Sequence, residues 1–181
     1  MHNNKHENVA TFQYGGTSVM ASNAAAHRVK TTGADKSLLG RWSWILFEGK
    51  HKHYTRVISA YVPCKSTIDR MQTVYNQQKK NFSGKEILDC PRKLMHQHLV
   101  QNIKEWQRKG ENIVLLIDSN ENLARMGQLQ SQLIYECQLI DPIWSTYQKK
   151  NTILPSTSLT GSNPIYAIFV SPQLRDITRG G

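Results

Sequence analysis

Only three of the 181 residues are cysteine, and Cys64, Cys90 and Cys137 are odd in number, far apart and free of any Cys-x-x-Cys spacing. Neither a disulfide framework nor a zinc knuckle is indicated, and a reducing compartment is expected. Acidic residues are scarce as well, 13 Asp+Glu against 23 Lys+Arg. No run approaches the roughly 18 consecutive apolar residues of a membrane span. The His/Asn-rich start, Met1 to Asn8, has no apolar centre of a signal peptide. The chain therefore reads as soluble and intracellular, with no membrane partner. Internal repeats and low-complexity tracts are absent, and Gly15-Gly16 is a turn pair without the Gly-Lys-Ser/Thr ending of a phosphate loop.

What is present is enough for one domain, since 39% of the residues are hydrophobic and can furnish a single core. The formal charge of +10 favours polyanionic partners, because neutralised phosphates release their condensed counterions. Nucleic acid is the first partner to consider. The competing reading is a solvated basic surface that serves solubility alone.

Thr17 to Ser22, behind the Gly15-Gly16 pair, reads as a short strand, followed by a polar, Gly-containing loop. Arg41 to Phe47 and Thr55 to Tyr61 are β-branched and aromatic with a polar connector between them, which predicts a β-hairpin ended by Pro63. Ile68, Met71, Val74 and Tyr75 follow at helical spacing. Pro91 stands at the first position of a second helix whose stripe runs through Leu94, His98, Ile103 and Trp106 to a cap at Gly110. Asn112 to Ile117 is a continuous apolar run, the pattern of an interior strand covered on both faces. A further helix is predicted over Met126 to Cys137, and a last short strand over Ile165 to Val170 before Pro172.

The polar group Asp118, Ser119, Asn120 and Glu121 falls at the C-terminal end of the buried run, where open α/β sheets present side chains to a ligand crevice. There a carboxylate can ligate Mg²⁺ or orient a water, and an amide can hold a phosphate oxygen. Asp and Asn also dominate turns after strands by capping nearby backbone N–H groups, so the triplet alone leaves both readings open. Other polar candidates are weaker. His51 and His53 flank Lys52 in the hairpin turn, a solvated basic tip rather than a metal site. His96 and His98 are too close in sequence to share a helix face. Trp42 and Trp44 share one strand face and read as core more readily than as a base-stacking platform.

Several landmarks in order resemble the endonuclease/exonuclease/phosphatase superfamily, of the exonuclease-III-like and deoxyribonuclease-I-like kind. Ala60-Tyr61-Val62-Pro63 resembles its strand and tyrosine, and Ile117-Asp118-Ser119-Asn120 is similar to its Gly-Asp-x-Asn. Gly16 to Ser22 resembles its early Gly-Gly-x-x-hydrophobic strand, Gly40-Arg41 its Gly-Arg strand entry, and Ser162 to Ser171 its late strand. The Cys90-Pro91-Arg92 helix start is similar to endonuclease domains found beside mobile-element reverse transcriptases. The resemblance implies an α/β (α+β) fold, a four-layer α/β/β/α sandwich of the deoxyribonuclease-I type, incomplete at both ends. It would occupy residues 14–178 after a polar tail over 1–13. It further implies catalytic roles for Asp118, Asn120 and Tyr61, with Asp118 also a metal ligand, Mg²⁺ or Mn²⁺ as cofactor, substrate-binding roles for Arg41 and Asn163, and DNA rather than RNA as substrate.

The departures matter as much. Tyr166 stands where the family's late strand has an aspartate, the closing Ser-Asp-His motif has no match, and neither Glu7 nor Asn8 matches the family's metal-binding glutamate. Three readings follow: a Mg²⁺-dependent phosphodiesterase or nuclease with impaired activity, an inactive remnant that binds nucleic acid or a protein partner through its basic surface, and a domain whose site a partner chain completes.

Overall fold

The computed structural model describes residues 15–37, 39–66, 73–84, 90–157, 161 and 163–178. The predicted hairpin is there: β2 (Trp42–Glu48) and β3 (Tyr54–Tyr61) run antiparallel, with Trp44 opposite Ile58. Its turn is a short 3-10 segment, Lys50–Lys52, with His51 and Lys52 at positive φ and exposed. Upstream, β1 (Val29–Ala34) pairs antiparallel with β2, although its Lys-Thr-Thr-Gly stretch reads as loop. Pairing on one side and a capping ring account for it. Trp44 lies flat over Gly33, where an added Cβ would come within 2.2 Å of Cζ2, so glycine makes room for the indole on this edge strand. Thr17 to Ser22, read as a strand, is instead irregular chain leading to the single turn α1 (Asn23–Ala26).

β4 (Glu111–Asp118) lies parallel to β3, and β5 (Tyr166–Val170) lies antiparallel to β4, giving the order β1-β2-β3-β4-β5. The crossover between β3 and β4 carries α2 (Val74–Ser83) and α3 (Pro91–Arg108). Thr73 caps α2 by accepting the Asn76 N–H, and Val74 and Tyr75 lie in its first turn; Ile68 and Met71, where the apolar spacing begins, lie outside the described residues. Pro91 opens α3 as predicted, and Leu94 with Leu39 and Phe82 packs the two helices together. The main core lies between one sheet face and α3: Ile58, Ile113, Leu115, Met95, Leu99 and Ile103 are all fully buried there.

A 3-10 turn (Leu123–Arg125) precedes α4 (Gln128–Ser131), which runs on without a break into a π turn (Gln132–Glu136), so the helix read over Met126 to Cys137 is present from Gln128 to Glu136. Met126 at positive φ interrupts the first two. An unforeseen helix, α5 (Pro142–Lys149), begins where Asp141 accepts the Trp144 N–H and Pro142 occupies the first turn. β4 alternates between buried and accessible positions rather than being covered on both faces, and Leu116 is 42% exposed. One mixed sheet is present among the described residues; the second sheet of the expected four-layer sandwich is not among them.

Candidate functional site

Strand pleating decides which side chains meet. Arg56, Ile58 and Ala60 of β3 turn toward α3, so Val57, Ser59 and Tyr61 face the other way. In β4 the same alternation sends Ile113, Leu115 and Ile117 inward and leaves Val114, Leu116 and Asp118 on the outer face. Because β3 and β4 are parallel and in register, Tyr61 is the direct neighbour of Asp118 at the shared C-terminal edge. From the opposite side β5 places Tyr166 across from Asp118. The carboxylate thus stands between two tyrosines on one face.

These three side chains line a cleft of about 580 Å³. Leu116 and Ile168 contribute its floor, Ile143 of α5 and the Gly16-to-Ser18 segment its sides. Gly15 adopts φ +79°, and a Cβ there would approach Val74 Cγ2 to 2.8 Å, so glycine lets the chain pass this wall of the cleft.

Burial pushes the Asp118 carboxyl pKa up; the Asn120 N–H, 3.3 Å from Oδ1, and the positive charge of Arg92 act in the opposite direction. Tyr61 is raised mainly by burial, with a Cys64 backbone hydrogen bond opposing and the Asp118 charge adding to the rise. At neutral pH the phenol keeps its proton and is a donor.

The loops after β3 and β4 are tied from behind. Arg92 donates from Nη1 to the Pro63 carbonyl at 2.8 Å, and from Nη2 to the Ser119 and Asn120 carbonyls and Glu121 Oε1 at 3.2, 3.3 and 3.3 Å. A cation in the first turn of a helix opposes the macrodipole, so an arginine at that position needs acceptors close by. That mismatch is the sequence signal that could have singled out Arg92. Glu121 also faces His96, whose Nε2 is 3.6 Å from Oε1. His96 is 4% exposed, neither ring nitrogen has a hydrogen-bond partner among the described residues, and burial together with the Arg92 charge draws its pKa down to about 4.

The other sequence candidates are placed differently. Asn120, at positive φ, donates its side-chain amide to the Val62 carbonyl at 2.8 Å, so it locks the two loops together at the rim. Asn163 accepts from Asn122 Nδ2 at 2.8 Å in the loop before β5. Arg41 does not line this cleft: it is 2% exposed, chelates Asp35 at 2.6 and 2.7 Å, and lies 3.2 Å from His98 on the helix-covered side. Its charge is spent on a bidentate ion pair.

Asp118 is the single carboxylate among the cleft-lining residues, and among the described residues no cluster of three His, Cys, Asp or Glu could hold a metal ion. Mg²⁺ is commonly held by one or two carboxylates completed by water and substrate phosphate. Asp118 meets the lower end of that requirement. No helix among the described residues is long and apolar enough to cross a membrane.

No family profile matches the chain, and no curated protein does. A solved structure of beta toxin 275-280 from Staphylococcus aureus is similar over 81% of this chain and 51% of its own, at 10% identity and a TM-score of 0.38. The chain spans about half the length of that protein. A likeness so slight bears on neither activity nor substrate.

Proposed function

We propose that the cleft at the C-terminal ends of β3 and β4 binds a phosphodiester of nucleic acid and hydrolyses it with the help of Mg²⁺ or Mn²⁺, DNA being the first substrate to test. One observation carries the reading: Tyr61 and Asp118, far apart in sequence, are neighbours in register on the open face of the sheet. Asp118 orients a water and takes its proton as the water oxygen bonds to phosphorus and the bond to the leaving sugar oxygen breaks. Tyr61 donates its phenolic hydrogen to a non-bridging phosphate oxygen, where charge gathers. When bound, the cation offsets negative charge on the phosphoryl oxygens, with Asp118 as its protein ligand. Arg92 and Asn120 hold the two loops so that the pair keeps its spacing.

A second reading, binding without hydrolysis, is favoured by Tyr166, which occupies the position across from Asp118 and leaves the cleft with one carboxylate. Plasmid nicking with and without Mg²⁺ separates the two. The parent should nick only with the cation, and Asp118→Ala should lose about 10²–10⁴-fold in rate, the usual contribution of a general base. Equal nicking by both proteins removes Asp118 from the reaction. A parent that binds plasmid in a salt-dependent way without ever cutting it supports the second reading.

A further inference from the structure

Of the six exposed large apolar side chains among the described residues, Met20, Tyr135 and Ile153 stand apart from the cleft and the other three line it. Tyr166, Leu116 and Ile143 are 52%, 42% and 42% exposed, and all three line the same cleft. A cluster of this kind beside a polar centre marks an interaction site. The Tyr166 ring has a specific setting within it. It projects from β5, which among the described residues is laddered to β4 and joined on its other side by a single bridge between Val170 and Ile140, far from Tyr166, and its cross-strand neighbour is Asp118.

We infer that Tyr166 is an aromatic platform on which one unpaired base of single-stranded nucleic acid stacks while the adjoining phosphodiester lies against Asp118 and Tyr61. This deepens the function proposed above and rests on it for the position of the phosphate. Two features favour a single strand as the occupant, and a third attracts nucleic acid of either kind. At about 580 Å³ the cleft falls within the roughly 300–1,000 Å³ of small-ligand pockets, space for a nucleotide and not for a duplex. Its floor, Leu116 and Ile168, is apolar and suits the face of a base, not its hydrogen-bonding edge. The net charge of +10 supplies the sequence-independent attraction that a polyanionic strand requires.

The test is fluorescence anisotropy in EDTA with a labelled oligothymidylate of about 12 nucleotides, within the usual site size of single-strand binders, and with the matching duplex. The parent should bind the single strand more tightly than the duplex. Tyr166→Ala should weaken single-strand binding by about 5- to 150-fold with an unchanged salt slope, and Tyr166→Phe, which keeps the ring, should stay within about twofold. Equal binding by parent and Tyr166→Ala, preference for the duplex, or binding of neither ligand overturns the inference. So does a dimer, seen by sedimentation, that Leu116→Lys dissolves, because the patch is then an interface between copies. The two proposals fail separately: ring-dependent binding without any nicking sinks the hydrolytic reading alone, whereas nicking with binding indifferent to Tyr166→Ala sinks the platform alone.

Discussion

On the helix-covered face of the sheet Arg56 chelates Glu111 at 2.6 and 2.9 Å and stacks 3.8 Å from the centre of Trp44 and 4.4 Å from that of Trp106, while on the opposite face Asp118 has no ion pair among the described residues. Both faces are built from the same strands, and both hold carboxylates away from bulk water. The inner ones are neutralised by arginine within the fold. The outer one is left for something that binds. Apolar residues divide in the same way, Ile58 and Leu115 being fully covered while Leu116 is 42% open. Carboxylates paired with arginine mark the structural face, and an unpaired, half-buried carboxylate marks the one proposed to meet a ligand.

Changes on the inner face test this contrast most severely. Glu111→Ala strands the Arg56 guanidinium between two indoles and should cost about 3–5 kcal/mol in denaturant unfolding, as expected when one partner of a buried pair is removed. A loss no larger than a surface substitution would show that the pair contributes little. Next comes pH. His96 titrates near 6.5 when unfolded and at about 4 when folded, so the unfolded chain binds more protons between those values and stability falls as pH drops through them. The groups facing it are Glu121 and Arg92. The expected drop is about 3 kcal/mol at most, and His96→Phe should flatten it; an unchanged slope in that variant would assign the effect elsewhere. Smallest, and opposite in sign, is Asp118→Asn. Burial raises this carboxyl, so its ionised form costs stability above the ordinary carboxylate pKa, and the variant should gain less than about 1 kcal/mol at neutral pH. A clear loss of stability would mean that Asp118 is a structural group like Glu111.

Elements that carry their own local signal were legible in the sequence. The hairpin showed in its β-branched and aromatic runs, α3 in Pro91 at its start and Gly110 beyond its end, and β4 in six consecutive largely apolar positions. β1 was not, because Lys30 to Gly33 has no apolar stripe and becomes a strand only when Trp44 covers Gly33 and β2 supplies the ladder. The helix over Met126 to Cys137 was legible in its apolar spacing; what the sequence does not announce is the left-handed Met126 that delays its start and the widening of its second half into a π turn. Of the site, Asp118 was nameable from its strand end and Tyr61 only through the family resemblance, and only the register shows them to be neighbours. The place of Arg41 apart from the cleft was not legible, because a buried arginine and a cleft-facing one look alike in sequence and the difference lies in Asp35, six positions away. Arg92 could have been singled out by its unfavourable place in the first turn of α3, but its acceptors come from two distant loops and only the fold identifies them.

The sheet has one parallel junction, between β3 and β4, and every other neighbour pair is antiparallel. Tyr61 and Asp118 face one another across that seam, separated by the whole chain segment that carries α2 and α3. Closing so long a loop is entropically costly until its contacts are made, and local pairings form sooner. The cleft is accordingly a late product of folding: a chain with its hairpin formed but this crossover still open holds both halves of the centre and none of its chemistry.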